Sequence, residues 1–168
     1  PIEEIRRSAS CEEDISIAEL LPVEAIGIPL AARTRNAVFG AMAELAERTG
    51  HLWDREMMVE AVRAREELHT TSLDNGVALL HPRRPMPGIL AQAVLALGIS
   101  PGGIPFGGNR GAMTDVFFLI CSVEDRGHLR TLAQLSRLLS RPRFLSALRE
   151  APDAAAAHQL LAETEEQL

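Results

Sequence analysis

The chain alternates segments of helical periodicity with short, continuous apolar runs, and this alternation narrows the folds open to it. Apolar residues recur every three or four positions in 35–49 and 55–68, and Thr34 and Asp54 are placed as N-caps. Four apolar runs have the length and the β-branched or aromatic content of buried strands: 26–28, which is the weakest, 77–80, 93–97 and 116–121. Helices that alternate with short strands predict an α/β sandwich.

The second half of the chain predicts three further helices, over 125–139, 142–150 and 153–163, in which Asp125, Pro142 and Asp153 hold the starting positions. In the earlier helix over 55–68, the apolar spacing predicts an inward face made of Met57, Met58, Ala61 and Val62. The stretch from Pro1 to Asp14 is charged and has no apolar period. We therefore expect a linker or tail at 1–14 and one domain at 15–168.

The composition limits the class of protein. A chain of 168 residues with 46% hydrophobic residues suits one domain with its own core, and neither a membrane-spanning run nor a signal peptide is visible, so we expect a cytoplasmic protein without direct membrane insertion. The net charge of −6 argues against a nucleic-acid-binding surface. All 17 basic residues are arginine, which excludes lysine Schiff-base chemistry. Cys11 and Cys121 are far apart, so neither a disulfide framework nor a thiolate metal site is expected, and Cys121 is assigned to the core.

One segment, Arg65 to His81, combines the end of a helix, a polar turn and a strand that finishes at a histidine. It reads R-E-E-L-H-T-T-S-L-D-N-G-V-A-L-L-H. An imidazole at the C-terminal end of a buried strand, followed by Pro82, lies where α/β sheets place ligand-facing side chains. His81 is therefore the first candidate for a functional residue.

A second histidine, His128, falls three residues after the predicted cap Asp125, in the first turn of its helix. Unpaired backbone N–H groups and the positive end of the helix dipole favour a bound anion and a neutral imidazole there. These features suit a site for a phosphoryl group. A neutral His81 could attack phosphorus while His128 donates a hydrogen bond to the incoming oxygens. This scheme requires no metal and no cofactor.

Three more residues could spread the charge of a phosphoryl group: the guanidinium of Arg65 and the hydroxyl of Thr70 or Thr71. Each candidate also has a structural alternative, because Arg65 could pair with an acidic neighbour on its own helix and the two threonines could cap the turn. The histidines outside the proposed pair, His51, His69 and His158, lack the spacing of metal ligands. The glycine-rich stretch 102–111 lacks a nucleotide-binding motif and predicts a hairpin or a connection.

The segment from Arg65 to His81 resembles the signature R-E-x-x-G-S-T-G-[IL]-G-x-G-[VI]-A-[IVL]-P-H of the enzyme IIA domain of the bacterial sugar phosphotransferase system, in its fructose/mannitol class, which includes the nitrogen-regulatory enzyme IIA. The residues that match as they stand are Arg65, Glu66, Thr71, Gly76, Val77, Ala78 and His81. The stretch 124–139 is similar to the family's G-x-H-L-x-x-L-A-x-L-A-x-x-L helix, and 105–107 is similar to its D-F-G turn. The likeness extends over roughly Ile15 to Leu161.

The resemblance implies a mixed central β-sheet flanked by helices, and a phosphotransferase with a phosphohistidine intermediate. In the family, the residue matching His81 is phosphorylated by the histidine-phosphorylated carrier HPr, and the residue matching His128 lies beside it. The phosphoryl group would then pass to an enzyme IIB domain, in sugar transport, or serve as a signal to a regulatory target protein, as in nitrogen regulation.

Four residues depart from the signature: His69, Ser72 and Asp74 stand where the family has glycine, and Leu80 stands where it has proline. Because glycine adopts positive φ without strain, the three losses predict either a remodelled turn or strained backbone positions. They also leave open an alternative function. The chain could be a regulatory module that keeps the fold, has lost phosphotransfer, and binds a partner protein through the surface around His81.

Overall fold

The computed structural model describes residues 15–107 and 112–168, so the predicted linker or tail at 1–14 lies outside the described residues. Within this part of the chain there are six α-helices and four strands: α1 (Ile17–Leu20), β1 (Ile26–Gly27), α2 (Arg35–Glu47), α3 (Arg55–Leu68), β2 (Val77–Leu80), β3 (Val94–Pro105), β4 (Met113–Cys121), α4 (Asp125–Leu139), α5 (Phe144–Arg149) and α6 (Ala154–Glu166). None of these helices is long and apolar enough to cross a membrane.

The four strands form one mixed sheet in the order β1-β3-β4-β2. β3 and β4 are antiparallel, whereas β1 runs parallel to β3, and β2 runs parallel to β4 with Val77 opposite Val116 and Leu80 opposite Leu119. All four side chains of β2 are buried, as expected for a short apolar run that is covered on both faces. The predicted α/β sandwich with a mixed central sheet is confirmed.

The core lies between this sheet and the helices that pack on it. Phe39 and Met42 of α2 and Leu135 and Leu138 of α4 are buried in the same cluster as the strands. Each such side chain contributes about 1.5–3 kcal/mol by leaving water. Cys121 is buried in this cluster, and burial raises the pKa of its thiol to about 12, which confirms a core role and makes it an unreactive thiol.

Three of the predicted helix starts are correct. The side chains of Thr34, Asp54 and Asp153 each accept a hydrogen bond from the backbone N–H three residues ahead, at the start of α2, α3 and α6. The predicted stop of α2 is also confirmed, since Gly50 follows it with φ of +80°. Each of these signals is local, which explains why the sequence alone reveals it.

Four predictions about the elements need correction. Asp125 is the first residue of α4 and not its cap, a position held by Glu124 without a side-chain hydrogen bond. The next helix, α5, begins at Phe144 and not at Pro142, because Arg143 interrupts the chain with φ of 69°. Met57 is 49% exposed and not in the core, and Ala61 is only half-buried. The fourth correction concerns the lengths of β3 and β4.

β3 and β4 extend beyond the predicted runs, to Pro105 and from Met113 respectively. Gly102 and Gly103 both take positive φ, next to an irregularity in the pairing between Ile99 and Ile104. These glycines therefore let β3 continue through a bulge, at a place where glycine would otherwise indicate that the strand ends.

Candidate functional site

The parallel pairing of β2 and β4 brings the two candidate histidines together. Parallel strands have their C-terminal ends at the same edge of a sheet, so His81 after β2 and Ser122 after β4 both lie at this edge. The chain then enters α4, whose first turn carries His128. The imidazole rings of His81 and His128 lie 4.9 Å apart, measured between centroids, and their planes are tilted by 51°.

The tautomer of His81 follows from a single hydrogen bond. Its Nδ1 lies 2.8 Å from the carbonyl oxygen of Leu79, and a carbonyl can only accept, so Nδ1 carries the proton. The Nε2 atom therefore keeps its lone pair. Burial lowers the pKa of His81, the charge of Arg65 lowers it further, and the Leu79 carbonyl and the charge of Glu66 act against this shift. His81 is thus a neutral imidazole at pH 7 with Nε2 as its basic atom.

His128 is held from the opposite side of the site. Its Nδ1 lies 3.0 Å from the hydroxyl oxygen of Ser122, and if that hydroxyl donates, the proton of His128 is on Nε2. Burial and the neighbouring His81 lower the pKa of His128, and Asp125 acts against them. The backbone N–H of His128 donates to the carbonyl of Glu124, so the free N–H groups of α4 lie in the turn that precedes it.

Arg65 lies at the end of α3, where its charge acts on His81. Its Nη1 donates to the carbonyl oxygen of His69 at 2.7 Å, and within the described part of the chain it forms no ion pair with an acidic neighbour. The same side chain lines an open groove of about 440 Å³, together with Ala61, Ala64, Leu68 and the segment Pro82–Met86. Arg65 therefore stands between the histidine pair and an apolar groove.

Thr70 and Thr71 do not point freely into the site, because both hydroxyls donate to the carboxylate of Glu66, at 2.7 and 2.6 Å. A hydroxyl has one proton, so binding of a phosphoryl oxygen by either threonine requires that hydroxyl to leave Glu66. The arrangement supports the structural alternative, in which the threonines hold the turn. Glu66 itself is a site residue that sequence reasoning missed, although its place in the matched signature was a signal.

The turn before β2 is remodelled and not strained. His69, Ser72 and Asp74 all avoid positive φ, and Gly76 alone in this turn adopts it, with φ of +85°. Ser72 instead forms a β-bridge with Ala78, and the N–H of Leu73 donates to the carbonyl of Val77. The turn thus folds back along β2 as a short antiparallel extension.

Two of the other histidines contact backbone carbonyl groups. His158 contacts the carbonyl oxygen of Ala18 through Nε2, and His69 contacts that of Thr70 through Nδ1. Within residues 15–107 and 112–168, no cluster of three or more histidine, cysteine or carboxylate side chains could hold a metal ion.

Comparison with known proteins shows which family the sequence resembles. Residues 19–164 match the family model for the phosphoenolpyruvate-dependent sugar phosphotransferase system, EIIA 2. The chain is 27% identical over 139 residues to the PTS system fructose-specific EIIABC component of Bacillus subtilis (strain 168), with 82% of this chain but only 21% of that protein covered. It is 31% identical over 150 residues to the nitrogen regulatory protein of Bradyrhizobium diazoefficiens, with 87% of this chain and 94% of that protein covered.

The fold is shared with solved structures of the same kind. The nitrogen regulatory protein IIA-Ntr of Neisseria meningitidis superposes with a TM-score of 0.75 at 25% identity, over 86% of this chain and 98% of that one. The complex of mannitol enzyme IIA with phosphorylated mannitol enzyme IIB from Escherichia coli contains a chain that superposes with a TM-score of 0.74 at 19% identity, over 86% of this chain and 99% of that one. The chain therefore belongs to the family of type 2 enzyme IIA domains of the phosphoenolpyruvate-dependent sugar phosphotransferase system.

Proposed function

We propose that this domain accepts a phosphoryl group on Nε2 of His81 from a histidine-phosphorylated, HPr-like carrier protein. The observation that carries the proposal is the hydrogen bond from His81 Nδ1 to the Leu79 carbonyl, which leaves the lone pair on Nε2. The lowered pKa of His81 supports it, because only the neutral imidazole is a nucleophile. The family as a whole acts in phosphoryl transfer.

In the proposed reaction, the Nε2 lone pair attacks phosphorus as the phosphorus–nitrogen bond of the donor phosphohistidine breaks. The bonding electron pair returns to the donor ring, which is protonated on its other nitrogen and leaves as a neutral imidazole. The His81 ring keeps its Nδ1 proton and becomes positively charged. The phosphoryl group moves as a unit, and the overall charge is unchanged.

Three groups are available to stabilise the phosphoryl oxygens in this reaction. His128 can donate from Nε2 when the Ser122 hydroxyl donates to its Nδ1. The Arg65 guanidinium can contribute through N–H groups other than the one that donates to the His69 carbonyl. The backbone N–H groups that precede His128 in α4 form the positive end of a helix dipole.

The site is suited to a protein donor because large apolar side chains are exposed at its margins. Leu68, at the end of α3, is 68% exposed, and Leu129, next to His128, is 66% exposed. Such side chains gain free energy when a partner covers them. The mannitol enzyme IIA that shares this fold has been solved with phosphorylated enzyme IIB, and we propose an enzyme IIB domain or a regulatory target as the next partner here.

A second candidate function is a regulatory module that binds a partner without accepting phosphate. The observation that favours it is that both threonine hydroxyls donate to Glu66, and that one N–H of Arg65 donates to the His69 carbonyl. The likeness to nitrogen regulatory proteins also supports it. In this case the apolar margins of the site would be used for binding alone.

The two functions are separated by one experiment. The purified chain is mixed with phosphoenolpyruvate, enzyme I and HPr, and we expect one phosphoryl group that is acid-labile and alkali-stable, as a phosphoramidate is. His81→Ala should abolish the label, whereas His51→Ala, which removes a loop imidazole, should not. A folded protein that gains no label from cognate components would favour the regulatory module.

A further inference from the structure

We propose that Glu66 is a positioning residue for His81, and that it fixes the imidazole through a chain of three hydrogen bonds. The kinetic part of this inference rests on the proposed phosphorylation of His81, whereas its structural part does not. Glu66 lies at the end of α3, fifteen positions before the histidine in sequence, and shares no hydrogen bond with it within the described part of the chain.

The chain of hydrogen bonds runs through two intermediate residues. The carboxylate of Glu66 accepts from the backbone N–H of Thr71 at 2.9 Å. The carbonyl of Thr71 accepts from the N–H of Leu79 at 3.2 Å, and the carbonyl of Leu79 accepts from Nδ1 of His81 at 2.8 Å. Each link fixes the acceptor of the next, so displacement of Glu66 would loosen the bond that selects the tautomer of His81.

The burial of Glu66 indicates that this anchor is rigid. The residue is 4% exposed, and its carboxylate also accepts the hydroxyls of Thr70 and Thr71. No arginine forms an ion pair with it within residues 15–107 and 112–168. Burial of a carboxylate is strongly unfavourable unless hydrogen bonds replace its hydration, and here these bonds come from Thr70 and Thr71, in the segment next to β2.

Glu66 affects the position of His81 and the pKa of His81 in two different ways. The N–H and C=O of one residue belong to separate peptide groups, so the chain of bonds transmits position more than charge. The charge of Glu66 acts through space, and it raises the pKa of His81 against burial and the charge of Arg65. Among the described residues, Arg65 and Glu66 are the charges that shift the pKa of His81, and the ring of His128, whose own pKa is also lowered, lies 4.9 Å away.

The negative charge of Glu66 favours the product of the proposed reaction. The His81 ring becomes positive when Nε2 forms its bond to phosphorus, because Nδ1 keeps its proton. A nearby carboxylate stabilises that positive ring, and the Leu79 carbonyl holds its proton. Glu66 would thus favour the phosphorylated state without touching the phosphoryl group.

The test compares Glu66→Gln with the matched control Glu67→Gln, which removes the same charge from the adjacent, exposed position of α3. Nitrogen–proton correlation spectra report the tautomer and the pKa of His81. We expect Glu66→Gln to lower that pKa by a few tenths of a unit to about one unit. Glu67→Gln should leave it at the wild-type value, and equal values in both variants would overturn the role of charge.

The kinetic measurement uses the same pair of variants. We expect Glu66→Gln to slow phosphorylation of His81 by HPr about tenfold to a hundredfold at pH 7, and Glu67→Gln to stay within about twofold of wild type. A slower rate together with an unchanged pKa and tautomer would make Glu66 merely structural and overturn the proposal. If the wild-type chain accepts no phosphate, the proposed function fails, and the spectra still decide the role of Glu66.

Two measurements remain decisive if Glu66→Gln does not fold. The first is the tautomer of His81 in the wild-type protein. A proton on Nε2 in place of Nδ1 would exclude the hydrogen bond to the Leu79 carbonyl and overturn the proposal. The variant Glu66→Asp keeps the charge but shortens the side chain by one methylene. We expect the pKa of His81 in this variant to stay close to the wild-type value and its phosphorylation by HPr to be slower. Phosphorylation at the wild-type rate would contradict the positional role.

Discussion

The imidazole of His81 lies 4.9 Å from that of His128, and each ring is tied through Nδ1 to an oxygen on the edge of the sheet, the Leu79 carbonyl for His81 and the Ser122 hydroxyl for His128. Both pKa values are lowered, so two neutral rings can face each other without repulsion. The pair thus presents one basic nitrogen and, when Ser122 donates, one N–H donor. These are the two groups that an incoming phosphoryl group requires.

Replacement of His128 by alanine should therefore change kinetics more than stability. We expect His128→Ala to slow phosphorylation of His81 by one to a few orders of magnitude, the approximate scale for loss of a positioned donor. The initial rate of labelling from phosphorylated HPr measures this, with His158→Ala as the control. An unchanged rate would mean that His128 takes no part in transfer.

Ser122→Ala tests the orientation of His128 separately from its presence. The variant removes the 3.0 Å contact to Nδ1 and keeps the ring. We expect a rate reduced about two- to tenfold, as for loss of one hydrogen bond of about 0.5–1.5 kcal/mol. A wild-type rate in Ser122→Ala would mean that this contact does not orient His128 for transfer.

The stability of the domain should rise with pH across the range just below 6.5. Both histidines have a folded-state pKa below the value of 6.5 that they take up when unfolded, so the unfolded chain binds more protons in that range. Their contribution is complete above pH 6.5 and is lost as the pH falls through the lowered pKa values. Urea unfolding from pH 5 to 8 should show this slope in the wild type, and a smaller one in a variant with both histidines replaced by alanine.

Gly76→Ala should destabilise the turn that leads into β2. Gly76 has φ of +85°, and a β-carbon there would lie 2.7 Å from Nη2 of Arg149 and 3.0 Å from Oδ1 of Asp115. We expect a loss of about 1–3 kcal/mol in the free energy of unfolding. The matched control is Gly40→Ala within α2, where a β-carbon meets nothing within 4 Å and where alanine should stabilise the helix by up to about 1 kcal/mol. Equal effects in both variants would contradict the argument.

Leu129→Ser should weaken the docking of the phosphorylated carrier without affecting the fold, because the side chain is 66% exposed beside His128. We expect a loss of at least about 1 kcal/mol in binding, if this leucine is among the anchors of the interface. The control is Val23→Ser, an exposed apolar residue outside the site. Titration calorimetry measures the affinity of both variants for the carrier. Equal affinities would mean that the docking surface lies elsewhere.

The sequence predicted those features that depend on neighbours along the chain. The caps Thr34, Asp54 and Asp153 and the bounds of β2 are local, and they were predicted correctly. The exposure of Met57 was not predictable from helical period, since the period gives the apolar face but not whether another element covers all of it.

The candidate site also has features that the sequence predicts and features that it does not. The strand pattern predicts that His81 lies at a strand end, and the resemblance of 124–139 to the family's helix implies that His128 lies beside it. The direction of the Thr70 and Thr71 hydroxyls depends on the buried Glu66, whose hydrogen bonds form only when the turn closes on α3. Burial of a charged side chain runs against its ordinary preference, so no pattern of hydrophobicity indicates it.

The parallel pairing of β2 with β4 also sets when the site can exist during folding. Val77 and Val116 are about forty residues apart in the chain, and the loop between them must close before the two histidines meet. β2 is four residues long and lies at the end of the sheet. Under the proposed function, acceptance of a phosphoryl group would therefore report complete assembly, because a domain that had formed every helix but had not paired β2 with β4 would carry both histidines without a site.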